Sequence, residues 1–301
     1  MADDTQAPVL GIIGGSGLYE IKGLEDTRWE HVSSPFGEPS DALFMGTLDG
    51  QPLVFLPRHG RGHRLDPGHI NYRANIDVLK RAGVTDIISL SACGSFKEEL
   101  APGTFVIADQ FIDRTRSRES SFFGPGLVAH VSMAHPVCRR LGDMVESAAR
   151  DADIQYVRGG TYLAIEGPQF SSLAESRLYQ AWGCDVIGMT NMPEVKLARE
   201  AEICYATVAM VTDYDCWHPH HDDVEVADIV GVLLANADRA RELIRYLVPW
   251  IKAAKDDAHP CPNGCDRVLD GALITAPGSR DAEMIARLDA VAGRVLDDLS
   301  P

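Results

Sequence analysis

Apolar and polar positions fall in blocks along this chain, and the blocks predict alternating strands and helices. Residues 9–13 form a short apolar run that breaks into Gly14-Gly15-Ser16-Gly17, a strand entering a tight turn. Runs at 43–44, 53–56 and 85–90 predict further strands, with a helix over 72–81 between the last two. Strands at 105–108 and 161–165 are expected to bracket a helix over about 136–150. Ser172 and Glu175 stand at capping-box spacing and predict a helix running to about Trp182. Pro193 is placed to open another helix, closed before residues 203–211, the most apolar run, which reads as a buried strand. Over 227–250, Ile229, Leu233, Ala237, Ala240, Ile244 and Leu247 recur at helical spacing with charges opposite.

Strands alternating with helices predict a layered α/β fold. Residues 255–278 are rich in Pro, Gly and Asp and read as a linker, with an amphipathic helix after it over about 281–299. The expected division is one domain over 1–254 and a linker plus C-terminal helical appendage over 255–301.

Composition narrows the function classes. The chain has 301 residues, 45% of them hydrophobic, enough to bury a sizeable core. The apolar run 203–211 is far too short to span a bilayer. Met1-Ala2-Asp3-Asp4 is acidic where a secretory signal is basic, so a cytoplasmic protein without a membrane partner is expected. Asp and Glu number 44 against 28 Lys and Arg, and the net charge of −16 argues against a nucleic-acid partner. Seven scattered cysteines read as reduced thiols, and Cys261 with Cys265, spaced Cys-x3-Cys, as a surface turn.

Against that acidic background, residues 58–73 hold Arg58, Arg61, Arg64 and Arg73 with His59, His63 and His69, and one acid, Asp66. Four arginines without a lysine favour an oxyanion site over a solvated loop. Arg58 follows the run 53–56 and is expected at a strand end, where α/β proteins place ligands. Ser16, Ser91 and Thr190 also follow predicted strands. Each alone reads as a cap or turn residue; with Arg58 they form a candidate set for one tetrahedral anion. The glycine turn is not a dinucleotide fingerprint, because Tyr19 stands where a third glycine is required.

Asp213-Tyr214-Asp215 follows the most apolar run and reads equally as a strand cap or as a general acid with an orienting partner. His218, His220, His221, Asp222 and Asp223 could ligate zinc, but a solvated loop before a helix is favoured. His59 and His63 are separated by Gly60 and Gly62, which argues against a zinc-binding helix.

Eight collinear runs carry a family resemblance over about residues 9–250. They are Gly11-Ile12-Ile13-Gly14-Gly15-Ser16-Gly17, Ser34-Pro35-Phe36-Gly37-Glu38-Pro39-Ser40-Asp41, Arg58-His59-Gly60 and Asn71-Tyr72-Arg73-Ala74-Asn75. Ala92-Cys93-Gly94-Ser95, Asp109-Gln110-Phe111-Ile112-Asp113-Arg114-Thr115, Glu166-Gly167-Pro168-Gln169-Phe170-Ser171-Ser172 and Thr212-Asp213-Tyr214-Asp215-Cys216-Trp217 complete the set. Together they resemble the 5′-methylthioadenosine phosphorylase family, in the trimeric branch of the nucleoside phosphorylase fold.

The resemblance implies a mixed central β-sheet flanked by helices, a homotrimer, and phosphorolysis of methylthioadenosine to adenine and 5-methylthioribose 1-phosphate. It implies no metal and no organic cofactor, inorganic phosphate being a co-substrate. Carried over by position, phosphate contacts would come from Ser16, Arg58, His59, Ser91, the backbone of Ala92, and Thr190. Met189 would pack on the ribose, Phe170 and Ser171 would line the base pocket, and His130 would serve the 5′ pocket of a neighbouring subunit. Asp213 would meet N7 of the leaving adenine and Asp215 its 6-amino edge; relatives acting on 6-oxopurines typically place Asn at the former position. The competing readings are a broader purine nucleoside phosphorylase acting on adenosine, inosine or 5′-methylthioinosine, a zinc-dependent hydrolase, and a non-catalytic nucleoside-binding scaffold.

Overall fold

A mixed eleven-stranded sheet organises the chain in the computed structural model, which describes residues 8–15, 17–218, 226–254 and 260–297. The strands are β1 (Leu10–Gly14), β2 (Leu24–Glu30), β3 (Leu43–Leu48), β4 (Gln51–Pro57), β5 (Asp86–Ser95) and β6 (Phe105–Ile107), followed by β7 (Gln110–Arg114), β8 (Tyr156–Arg158), β9 (Thr161–Ile165), β10 (Val186–Gly188) and β11 (Cys204–Asp213). Their main path runs β2-β3-β4-β1-β5-β10-β9-β7, and β11 joins β5 to β6 and β8. The α/β architecture foreseen from the alternating blocks is present.

Both faces of the sheet are covered. Along β4, Val54 and Leu56 enter one apolar cluster while Leu53 and Phe55 enter the other, the two-residue period of a strand buried on both sides. On the first face lie α1 (Tyr72–Arg81) and α4 (Asn191–Glu200); on the second, α2 (Arg139–Asp151) and α5 (Val226–Ala253). Asn71 caps α1 by accepting the Ala74 N–H. The capping box of α3 (Leu173–Ala181) forms as its spacing predicts. In α4 the helical backbone proper starts at Pro193, because Met192 is extended. No helix among the described residues is long and apolar enough to cross a membrane.

Tertiary pairing moved several boundaries. The apolar run at 85–90 does not end its strand: β5 continues through Ser95, because β11 pairs with it from Asp86 to Gly94 and β10 pairs with Gly94 and Ser95. Ser91 therefore sits within a strand and not at its end. β2, β7 and β8 are polar enough to escape the apolar pattern and exist through edge pairing. The C-terminal helix divides at fully buried Leu288 into α6 (Ala282–Arg287) and α7 (Asp289–Asp297). Residues 260–278 pack onto the body: Leu273 bridges Ala129, and Leu269 N donates to Glu202. Cys261 and Cys265 are buried, correcting the surface-turn expectation, since this turn packs into the second apolar cluster.

Candidate active site

Parallel strands β1 and β4 deliver Arg58 to the C-terminal ends of two interior strands, where its N–H donates to Gly14 O at 2.9 Å. The side chain is 2% exposed. Its Nε and Nη2 donate to Glu194 at 2.8 and 3.1 Å, Nη1 donates to Leu90 O at 2.9 Å, and Nη2 donates to Ser89 Oγ at 2.6 Å. Among the described residues these bonds use four of the five hydrogens a guanidinium carries, leaving one on Nη1. Burial opposes the charge, but Glu194 outweighs it and holds Arg58 above the ordinary guanidinium value.

His59 donates through Nδ1 to Leu65 O at 2.8 Å, which leaves Nε2 as an acceptor in the neutral ring. Burial, reinforced by Arg58, pushes its pKa down to about 4. The remainder of the basic island disperses. Arg61 pairs with Asp41, Arg64 donates to Ser40 O, Arg73 pairs with Glu119, and His63 stacks on His59 at 4.2 Å. Of the four arginines only Arg58 lies among the anion candidates.

Ala92 is the one exposed position in β5, whose other nine residues are buried, so the sheet opens at this point. Next to it, Ser91 is buried. Tyr162 of β9 neighbours both Ser91 and Thr190, yet Ser91 Oγ and the Tyr162 hydroxyl have no hydrogen-bond partner among the described residues. Thr190 is buried at the N-cap of α4, and its side chain makes no capping bond. Ser16 lies outside the described residues.

Asp213 closes β11, and Asp215 opens the short 3-10 turn that follows it. The Asp213 carboxylate accepts from Thr212 Oγ1 at 2.7 Å and Asp215 N at 2.8 Å; burial raises its pKa despite both bonds. Burial raises Asp215 to about 6, and its Oδ2 has no partner among the described residues. Gly94 makes room for the pair: a Cβ there would stand 2.8 Å from Asp213 Oδ1. Met189 packs on the Gly167 turn, whose added Cβ would lie 2.6 Å from its sulfur. Ser171 Oγ is buried without a partner among the described residues, while Phe170 is 50% exposed. His130 is exposed, and its N–H donates to Ala272 O in the C-terminal segment.

His218 bonds Glu98 at 3.0 Å, and His220, His221, Asp222 and Asp223 lie outside the described residues. Among the described residues, the group spaced to hold a metal is Cys138, Cys204, Cys261 and Cys265.

The sequence profile of the phosphorylase superfamily matches residues 9–249. The chain belongs to the phosphorylase superfamily. It is 64% identical to S-methyl-5'-thioadenosine phosphorylase of Rhodospirillum rubrum, covering 98% of this chain and 100% of the relative. It is 65% identical to the enzyme of the same name in Bradyrhizobium diazoefficiens, covering 97% and 99%. A crystal structure of methylthioadenosine phosphorylase sourced from an antarctic soil metagenomic library is similar at TM-score 0.89 and 47% identity, covering 95% of this chain and 99% of that one. The Schistosoma mansoni methylthioadenosine phosphorylase in complex with adenine follows at TM-score 0.82 and 37% identity, covering 88% and 98%.

Within this phosphorylase fold, three supporting residues escaped sequence reasoning. Glu194 accepts from Arg58, Ser89 Oγ at 2.6 Å and the Tyr205 hydroxyl at 2.8 Å; the available signal was an acid inside an otherwise apolar stretch of α4. Arg118, with its side chain 1% exposed, donates to Met189 O, Met192 O and Glu166 O at 2.7, 2.6 and 2.7 Å, and so shapes the loops around Met189. Tyr162 reaches Ser91 only because β9 and β5 are both neighbours of β10, which no local pattern announces.

Proposed function

We propose that this chain is a pentosyltransferase that cleaves S-methyl-5'-thioadenosine with inorganic phosphate, giving adenine and 5-methylthioribose 1-phosphate. The observation that carries this reading is the pairing of β5 with β11. Ser91 and exposed Ala92 stand three and two residues before Gly94, which pairs with Asp213. The strand rise puts roughly 10 Å between the Ser91 and Gly94 ends of that stretch, a span fit for a phosphate at one end and a purine at the other. The close full-length relatives carry the same activity in their names.

In the reaction a phosphate oxygen attacks C1′, the C1′–N9 bond breaks, and its electron pair passes into the purine. Positive charge gathers on the ribose and negative charge on the base, so an anion beneath the sugar and a proton donor at N7 stabilise the transition state. Ser91, Thr190, Ser16, His59, the Ala92 backbone and the remaining Nη1 hydrogen of Arg58 are assigned to phosphate. His59, neutral and with Nδ1 on Leu65 O, accepts a hydrogen bond at Nε2 from a protonated phosphate oxygen. Asp213 serves N7, aided by the burial that raises its pKa, and Asp215 accepts from the 6-amino group through Oδ2, which has no partner among the described residues. Met189, Phe170 and Ser171 line the nucleoside pocket.

Phosphate is the co-substrate, and neither a metal nor an organic cofactor enters this chemistry. A cytoplasmic homotrimer completes the proposal. His130 serves the 5′-alkylthio pocket of a neighbour, and exposed Phe170, Leu173, Leu178 and Trp182 offer an apolar surface for that neighbour. The test is adenine release from methylthioadenosine with and without phosphate. Release that requires phosphate supports the reading; phosphate-independent release, or a preference for inosine, overturns it.

A further inference from the structure

We propose that Cys138, Cys204, Cys261 and Cys265 bind one zinc ion, which pins the C-terminal segment to the body of the fold. The four residues come from three separate stretches of chain: Cys138 caps α2, Cys204 opens β11, and Cys261 and Cys265 bracket a tight turn. All four are buried, at 5% exposure or less, and their sulfurs lie within 4.8 Å of one another. Cys138 and Cys261 are 3.7 Å apart. A tetrahedron with Zn–S bonds of about 2.3 Å has edges of about 3.8 Å, whereas a disulfide closes to about 2.05 Å.

The turn itself has the form of a ligand loop. Gly264 takes a φ of 67°, its N–H donates to Cys261 O at 2.8 Å, and Cys261 N donates to Asp266 Oδ2 at 2.7 Å. Asn263 Oδ1 accepts from Arg140 N at 3.0 Å and so ties the turn to α2.

Charge supplies an independent argument. Arg199 is 8% exposed and has no carboxylate partner among the described residues; its Nη1 lies 3.6 Å from Cys265 Sγ. A buried guanidinium demands a counter-charge, and neutral thiols do not provide one. Binding Zn²⁺ releases the four thiol protons to solvent and leaves a complex of net charge −2, which Arg199 partly offsets in the outer shell. Soft thiolates in this arrangement select zinc over the hard cations. Cys265 and Asn263 also line a cleft of about 830 Å³ shared with His135 and Arg199, a route of entry for the ion. Cys204 and Asp213 close opposite ends of ten-residue β11, roughly 30 Å apart at strand rise, so the metal is structural and remote from the reacting atoms.

The experiment uses the full chain, equilibrated with zinc, desalted and assayed for metal. Zinc near one per chain is expected, released by a thiol-specific mercurial, and cobalt exchanged into the site should show the visible bands of a tetrahedral thiolate complex. Cys261→Ser with Cys265→Ser should lose the zinc and lower Tm, while Cys184→Ser, elsewhere in the fold, retains both. If the serine variants fail to fold, the wild-type zinc content and cobalt spectrum still decide. A metal-free chain with four alkylatable thiols overturns the proposal, as does a mass showing disulfides among these cysteines. Iron in place of zinc overturns the choice of ion.

Discussion

At the residue scale, Arg58 and Glu194 form a pair whose two side chains are each 2% exposed, and neither charge tolerates losing the other. Arg58→Ala or Glu194→Ala should each cost about 3–5 kcal/mol in denaturant unfolding, because each strands a buried charge. Arg58→Met combined with Glu194→Leu should recover most of that stability, while phosphate-dependent adenine release stays lost. Recovery of both would remove Arg58 from the phosphate site. Asp215 behaves differently, since burial raises its pKa from 3.8 to about 6 and the folded state therefore holds the proton more tightly than the unfolded chain does. Its contribution to stability is full below pH 3.8 and disappears as pH rises through about 6. Asp215→Asn removes that loss, and asparagine tolerates the φ of 51° there. The variant should gain on wild type by up to about 3 kcal/mol between pH 4 and pH 8, read from unfolding curves, while losing turnover of the 6-aminopurine substrate. The placement of both aspartates and Arg58 at or just after strand ends was legible in the sequence, because each follows an apolar run. Glu194 was not, because its partner lies 136 positions away.

At the scale of elements, β5 is where local pattern and tertiary structure part company. Its apolar run ends at Leu90, but hydrogen bonds to β11 and β10 carry the strand to Ser95 and so place Ala92 facing the opening. Gly94 is the position on β5 that the aspartate pair requires to be small. Gly94→Ala would set a Cβ 2.8 Å from Asp213 Oδ1 and 3.1 Å from Ile187 Cγ2. We expect kcat/KM to fall at least about tenfold, from displacement of Asp213, with a modest change in Tm. An unchanged kcat/KM would mean that Asp213 does not act from its present place. The helices were easier to read, because capping boxes and amphipathic periods are local. Ser172→Ala in the α3 capping box should cost about 1 kcal/mol. The C-terminal helix broke at Leu288 for a reason no period reveals: that side chain is drawn fully into the core formed with α1 and α4.

At the scale of the whole molecule, the proposed homotrimer would cover the exposed apolar residues along 170–182 and the exposed His130. Light scattering in solution should read three times 32.8 kDa; a monomer mass would sink the proposed sharing of sites. On its proposed role at the 5′ substituent, His130→Ala should raise KM for methylthioadenosine several-fold more than KM for adenosine; equal changes would remove it from that pocket. Reading the chain in order was enough for the α/β class, most helix starts, the net acidity, and the placement of Arg58, Asp213 and Asp215 at or just after strand ends. These depend on periodicity, composition and nearest neighbours, which a linear reading contains. Folding in three dimensions was needed to pair Glu194 with Arg58, to set Tyr162 beside Ser91, and to bring four cysteines spread over residues 138–265 together. Those juxtapositions come from strand order and from where the two apolar faces close, and both are settled by burying the whole sheet at once.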